Sequence, residues 1–182
     1  MIFGKPDQFA IEAMVEPYLV APSSVWGRMR VWCAGTPLGD YSSEHCGLPS
    51  AHFEELGHKV LTLWRGEFNG LSNDQIFDLL DFRLYGYVDG IEMPDDRTDA
   101  QVHQDAAAYG RFDFLNNWGE MFDQIGKAFI LCPDGASTRV LYRPYGIAVC
   151  QAFEAPSTLV IDACSDFVEW HDANSVRLRS RG

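Results

Sequence analysis

The chain has 182 residues, of which 47% are hydrophobic and 22% are charged, and its formal net charge is −12. This composition is typical of one folded domain with a large core, because disordered chains contain few apolar residues. The negative charge argues against nucleic acid or a membrane surface as the partner and favours a basic partner. Residues 66–126 contain 13 acidic and 3 basic residues, so this third of the chain carries −10 of the net charge.

Two stretches near the N-terminus, residues 8–16 and 25–33, alternate between apolar and other side chains. A period of two predicts strands that place one face in a core and the other near water. The outer face of the second stretch consists of Trp26, Arg28, Arg30 and Trp32. These residues form either a solvated face with extended arginines or an adaptor surface for a flat or anionic partner.

Three main helices are predicted after these strands. Ser50 is a plausible N-cap of the first helix, and Ser72 with Gln75 matches a capping box at the start of the second. Gly86 is a natural end for the second helix, and Pro156-Ser157 opens the third. The core-facing stripe of the first helix is Phe53, Leu56, Val60 and Leu63.

The most acidic features lie on and after the second helix. Asp74, Asp78 and Asp81 recur at i, i+4 and i+7, so they share one helix face, either solvated or partner-binding. Residues 87–110 have little apolar periodicity, and we expect a mobile, exposed acidic insertion there. Thr98 and Gln101 could cap a short helix in it that ends near Tyr109-Gly110.

The last third of the chain is predicted to form strands followed by a helix. Residues 127–132 and 137–142 predict a hairpin around the turn Pro133-Asp134-Gly135-Ala136, residues 145–153 predict a further strand, and the basic tail from Arg177 is expected to fray. Together these elements predict an α+β fold. We expect a mostly antiparallel sheet with about three helices packed on it, in one domain over residues 1–182.

The five cysteines favour a reducing compartment. Their number is odd, no two have the C-x-x-C spacing, and several lie in apolar runs. The N-terminus lacks the basic and apolar regions of a signal peptide, and no run approaches the roughly 18 apolar residues of a membrane helix. We therefore expect a cytoplasmic protein without a disulfide framework.

Common catalytic and phosphate-binding motifs are absent from the sequence, which argues against an enzyme and against a cofactor. His103 and the nearby aspartates Asp95, Asp96, Asp99 and Asp105 could hold a divalent cation through oxygen ligands. The glycine and closing glutamate of an EF-hand loop are missing, so a polar surface loop without a metal is the simpler explanation. The alternative is an uncharacterised metal-binding protein or enzyme that uses the acidic loop and His103.

Several short motifs are informative in addition to the apolar periodicity. They are Met1-Ile-Phe-Gly, Pro6, Phe9-Ala10-Ile11, Gly35 before Leu38-Gly39-Asp40, and Val140-Leu-Tyr-Arg143. These motifs resemble the immunity protein 42 family, which belongs to bacterial polymorphic-toxin and contact-dependent competition systems. The resemblance implies a non-enzymatic protein that binds and neutralises the C-terminal domain of a cognate toxin. Residues 87–110 match nothing in the family pattern, so partner specificity could lie there.

Many toxins of such systems act on nucleic acid through basic clefts, and an acidic inhibitor would be steered to a cleft of that kind. The resemblance therefore places toxin binding in the acidic middle of the chain. The candidate toxin-binding residues are Asp74, Asp78, Asp81, Asp89, Glu92, Asp95, Asp96 and Asp99.

Overall fold

The computed structural model describes residues 1–42, 46–88, 91–123 and 125–179. Within these residues the chain forms four α-helices and three antiparallel sheets, which confirms the predicted α+β class. The helices are α1 (Ser50–Lys59), α2 (Asn73–Tyr85), α3 (Asp99–Tyr109) and α4 (Ser157–Arg179). Short 3-10 turns follow α1 and α3 and lie at Gly66–Phe68 and Glu120–Phe122.

The first sheet is built on the two predicted N-terminal strands. Its strands are β1 (Ile2–Lys5), β2 (Phe9–Val15), β3 (Trp26–Cys33), β4 (Thr36–Leu38) and β5 (Cys46–Gly47). The order is β1-β2-β3-β4, and β5 also pairs with β3. Phe9, Ile11 and Ala13 are buried, as their alternation predicts. Glu16, on the face that the alternation places near water, is buried, and its Oε1 accepts a hydrogen bond from Arg28 Nε at 2.7 Å.

The second sheet has the order β11-β10-β9-β8 and contains the predicted hairpin. Its strands are β8 (Asp113–Phe114), β9 (Gly126–Leu131), β10 (Ser137–Pro144) and β11 (Gln151–Pro156). The strand predicted over residues 145–153 is wrong in its first part. Gly146 has a φ of 77° and Ile147 N donates to Pro144 O at 3.1 Å, so the chain turns here before β11 begins.

The helices bury the stripes that the sequence predicts. All four positions of the first predicted stripe are buried, although Val60 and Leu63 lie beyond the end of α1 at Lys59. Phe53 meets Phe167 of α4 with ring centroids 5.1 Å apart. Ser50 is the first residue of α1 rather than its cap, because Pro49 takes the cap position without a side-chain hydrogen bond. The helix α4 lies on β1 and β2, and α1 lies beside it.

The helix α2 begins and ends where the sequence predicts. Gln75 N donates to Ser72 Oγ at 3.2 Å, Ser72 N donates to the Gln75 side chain at 2.8 Å, and Gly86 ends the helix with a φ of 76°. Phe77 then packs against Phe129 of β9, with ring centroids 5.0 Å apart. This contact fixes α2 on the second sheet.

The C-terminal tail does not fray where expected. The helix α4 continues through Arg179, because Leu178 is buried and its carbonyl accepts a hydrogen bond from Ser23 N at 2.9 Å. The last residues, 180–182, lie outside the described part of the chain. The five cysteines are free thiols, as predicted. Among the helices in the described ranges, none combines the length and hydropathy that crossing a membrane requires.

Candidate functional site

The described parts of residues 87–110, which are 87–88 and 91–110, lie against α2. A short third sheet pairs β6 (Tyr87–Val88) with β7 (Ile91–Glu92), and α3 follows. Gln101 N donates to Thr98 Oγ1 at 3.4 Å and Thr98 N donates to the Gln101 side chain at 2.8 Å, which confirms the predicted cap of this helix.

Arg97 joins this unit to α2. Its Nη1 donates to Asp105 Oδ2 at 2.7 Å and to Arg83 O at 2.9 Å, and its Nη2 donates to Phe82 O at 3.1 Å. The guanidinium also bonds Asp95 through two nitrogens, and these hydrogen bonds lower the pKa of Asp95 to about 2. A single planar cation therefore fixes residues 91–109, which we call the α3 segment, to the C-terminal part of α2.

The acidic face of α2 is not a free solvated face. Asp81 is buried and paired with Lys127 of β9, while Arg143 Nη1 of β10 donates to Asp78 Oδ1 at 2.6 Å. Asp74 lies 3.5 Å from Arg143 Nη2 and also accepts from Cys150 N at 2.8 Å. Two cations of the second sheet thus neutralise much of the predicted triad and bond α2 to β9 and β10.

Burial and pairing oppose each other at these groups. Burial raises the pKa of Asp81, although the hydrogen bond and charge of Lys127 act in the other direction. Burial alone would lower the pKa of Arg143, but the hydrogen bond to Asp78 raises it above its ordinary value. Arg143 therefore stays charged beside Asp78.

The remaining predicted carboxylates within the described residues are exposed on β7, on the loop after it and at the start of α3. We call this surface the acidic edge, and it consists of Ile91, Glu92, Met93, Asp95, Asp96, Asp99 and Val102. All of these side chains are exposed, including the three apolar ones. Asp89 lies outside the described residues. Exposed apolar side chains bordered by charge are typical of surfaces that bind other proteins.

A cleft of about 550 Å³ opens beside the acidic face of α2. We call it the tyrosine cleft, and its lining consists of Phe77, Asp81, Tyr85, Tyr87, Lys127, Arg143 and residues 144–148. Lys127 Nζ lies 4.8 Å and 4.3 Å from the ring centroids of Tyr85 and Tyr87. Sequence reasoning missed this cleft, although Gly146 within the apolar run 145–149 signals a turn rather than a strand.

The alternatives from the sequence gain little support. In the described ranges, no group of three or more His, Cys, Asp or Glu side chains is arranged to hold a metal ion. Asp105, one of the four aspartates considered with His103, is buried and bonded to Arg97 and Arg83. An oxygen ligand set around His103 would first have to break this pairing.

The outer face of the first sheet pairs its charges internally. Arg28 donates to Glu16, just after β2, and Arg30 donates to Glu12 of β2, each at 2.7 Å, and Trp32 Nε1 donates to Glu12 at 2.8 Å. The Arg30 guanidinium lies 4.5 Å from the Trp32 ring centroid. An adaptor role would have to use side chains that are already bonded to β2.

Comparison with known proteins gives one family and one similar fold. The sequence matches the family described as immunity protein 42 over residues 1–170. The fold is similar to the crystal structure of CdiI from Burkholderia dolosa AUO158, with a TM-score of 0.60 at 14% identity, covering 93% of this chain and 99% of that chain. No curated protein matches the sequence.

Proposed function

Because the chain belongs to the immunity protein 42 family, we propose that it neutralises the C-terminal domain of a cognate nuclease-type toxin by binding it. The match over residues 1–170 is the observation that carries this proposal, since it includes almost the whole chain. Such a role needs a stable protein surface rather than a catalytic centre. It also places the protein in the cytoplasm, where a toxin would meet its target.

The acidic edge is the surface that fits a basic toxin best. Glu92, Asp96 and Asp99 are exposed carboxylates, and Ile91 and Met93 add apolar area between them. Separated surface charges of one sign raise the association rate of an oppositely charged partner, while the apolar residues supply contact energy once it has docked. Asp95 also belongs to this edge, although it is bonded to Arg97.

The contacts that hold the acidic edge in place favour tight binding. Arg97 fixes the α3 segment to two carbonyls of α2 and to Asp105, so the carboxylates are held in place before a partner arrives. A surface that is ordered in advance loses less conformational entropy on binding. Asp74, Asp78 and Asp81 contribute mainly by bonding α2 to the second sheet beneath the edge. Asp89 stays a predicted contact.

A nuclease is the toxin class that the charge favours. Nucleic-acid-binding clefts gather lysine and arginine side chains that contact phosphates. A chain of net charge −12, with most of that charge in its middle third, presents carboxylates where the nucleic acid would present phosphates. Inhibition then follows from occupation of the cleft.

Co-expression tests the proposal directly. Where the gene immediately upstream encodes a long secreted protein, the C-terminal domain of that protein is the toxin to use. Cells that make this domain alone should stop growing, and cells that also make the present protein should grow. The two purified proteins should co-elute, and added immunity protein should stop cleavage of DNA or RNA. Growth arrest in the presence of folded protein, without co-elution, would overturn the proposal.

A further inference from the structure

We propose that the outer face of the first sheet binds a second copy of this chain, so that β2 of one copy lies over β3 of the other. The outer face consists of the side chains of β1, β2 and β3 that point away from α4. The central contact joins Glu12 of each copy to Arg30 of the other. This inference goes beyond the proposed function, because neutralising a toxin does not by itself require a dimer.

The two faces of the first sheet differ in burial. One row of partners across β1 to β4 lies on the face toward α4 and is buried, and it consists of Phe3, Ile11, Val31 and Leu38. The adjacent row lies on the outer face and consists of Ile2, Glu12 and Arg30. Ile2 is 52% exposed, and the Arg30 side chain is 29% exposed. The outer face is therefore partly open to solvent.

The side chains of the outer face are of the types that protein interfaces favour. Trp26, Trp32 and Met14 lie on it beside the arginines, and tryptophan, methionine and arginine are all enriched in interfaces. The charges of these strands balance, because Glu12 pairs with Arg30 and Glu16 pairs with Arg28. Two copies of a chain with a net charge of −12 repel each other. A balanced face is where this repulsion is weakest.

The pairing register makes this face complementary to itself. A two-fold axis that runs along the strands, midway between β2 and β3, places β2 of each copy over β3 of the other. Glu12 and Arg30 are partners in the ladder, so they lie at the same height along this axis. Glu12 of each copy therefore faces Arg30 of the other. An axis across the strands through the same row would place Glu12 against Glu12, where like charges repel.

Both groups can bond across the dimer without losing the bonds that they make within one copy. Arg30 Nε donates to Glu12 Oε2 at 2.7 Å, and a guanidinium has further N–H donors on its other two nitrogens. A carboxylate has about four acceptor sites, and Trp32 Nε1 and Arg30 Nε both donate to Oε2 of Glu12. The rings of Trp32 and Tyr41 lie 4.5 Å and 4.8 Å from the guanidinium carbon, so its plane is positioned before association.

The test is a pair of charge reversals that oppose homodimers and favour the mixed dimer. In E12R both facing groups are cationic, and in R30E both are anionic. We expect each variant to dimerise at least about ten-fold more weakly than the wild-type protein. An equimolar mixture restores two contacts between opposite charges, so it should associate at least about ten-fold more tightly than either variant alone. Sedimentation equilibrium from about 10 μM to about 200 μM measures all four samples.

Three results would overturn the dimer. A wild-type protein that stays monomeric at the highest concentration excludes it. Variants that dimerise like the wild-type protein would place the contact on another surface. Two folded, monomeric variants that do not associate when mixed would show that the loss comes from the broken pair within one copy. Protection against the toxin is a separate readout, since its failure would overturn the proposed function and leave the dimer standing.

A second pair of variants decides the question if a charge reversal prevents folding, as seen by circular dichroism. Ile2 and Leu61 have similar exposed fractions, 52% and 51%, but Ile2 lies on the outer face and Leu61 lies in the 3-10 turn after α1. A glutamate on the outer face would be buried in the dimer. We expect I2E to weaken dimerisation at least about ten-fold and L61E to leave it unchanged. Equal effects of I2E and L61E would overturn the proposal.

Discussion

Arg143 Nη1 donates to Asp78 Oδ1 at 2.6 Å, and this bond joins β10 to α2 across 65 positions of sequence. The guanidinium is buried, and its carbon lies 4.2 Å from the ring centroid of Phe77. The pair therefore belongs to the packed contact between α2 and the second sheet. An aspartate that looks like part of a free acidic surface in the sequence is a structural group.

Removing the Asp78 carboxylate should destabilise the fold. The substitution D78L removes the 2.6 Å bond to the buried Arg143 guanidinium, and we expect a loss of about 2 kcal/mol in the free energy of unfolding. The value is below that of a fully buried pair because Asp78 is partly exposed. The double variant D78L/R143M should lose less than the two single variants together. Urea unfolding of all four proteins measures this coupling, and additive effects would contradict it.

The same pair shows which part of the site the sequence can predict. The spacing of Asp74, Asp78 and Asp81 is local, so the 3.6-residue period places them on one face, and the structure agrees. The cations that neutralise them lie 46 positions away at Lys127 and 65 positions away at Arg143. Nothing in the period of α2 indicates such partners, because tertiary packing brings them together.

The capping boxes and the loop before β11 also separate what the sequence predicts from what it does not. Ser72 with Gln75 and Thr98 with Gln101 are contacts within one turn, so the sequence predicts both helix starts correctly. Residues 145–153 contain an apolar run that, taken by itself, fits a strand as well as it fits a turn. The chain turns at Gly146 instead of continuing as a strand. The exposed Tyr145 therefore lines the tyrosine cleft.

Substitution of Arg97 should loosen the α3 segment without unfolding the rest. The variant R97K keeps the charge but cannot bond Asp95, Asp105 and two carbonyls at once, because the ammonium lacks the planar fork. We expect amide hydrogen exchange in residues 91–109 to become at least about ten-fold faster, which corresponds to roughly 1.4 kcal/mol. Exchange in β9 and β10 should stay unchanged. Equal acceleration in all regions would show that Arg97 supports the whole fold.

Charge reversal on the acidic edge should slow the association with the toxin domain. The triple variant E92K/D96K/D99K removes exposed carboxylates, so we expect a roughly ten-fold or greater fall in the association rate at low salt and a weaker dependence on ionic strength. The matched control is D162K/D166K/E169K on α4, which changes the net charge equally at exposed positions. Stopped-flow mixing measures both. Equal effects of the two triple variants would remove the acidic edge from the interface.

A glycine in β3 should not tolerate even a methyl group. Gly27 pairs with Val15 of β2, and a Cβ added at Gly27 would lie 2.1 Å from Met14 O. We expect G27A to cost about 3 kcal/mol or to prevent folding, because the obstacle is backbone and cannot move aside. Gly47 of β5 lies in the same sheet, and a Cβ there would meet nothing within 4 Å. Thermal unfolding should therefore show little change in the stability of G47A. A similar loss of stability in G27A and G47A would indicate that strand propensity, rather than the clash with Met14 O, is the cause.

The pH dependence of stability should have opposite signs at Asp113 and Glu12. Burial raises the pKa of Asp113 above 3.8, although Tyr85 and Asn116 donate to its carboxylate at 2.6 Å and 2.5 Å. The native state then holds the proton more tightly than the unfolded chain does. The stabilising contribution of this group is complete below the unfolded pKa and is lost as the pH rises through the raised folded pKa.

The variant D113N cannot ionise, so the wild-type protein should gain stability relative to D113N as the pH falls from about 7 to about 4. At Glu12, burial acts to raise the pKa, but the hydrogen bonds from Arg30 and Trp32 lower it below 4.5 overall. The advantage of the wild-type protein over E12Q should therefore be present above the unfolded pKa and shrink as the pH falls. Urea unfolding from about pH 7 to about pH 3 gives both differences, and slopes of the same sign would contradict the assignment of burial as the cause at Asp113.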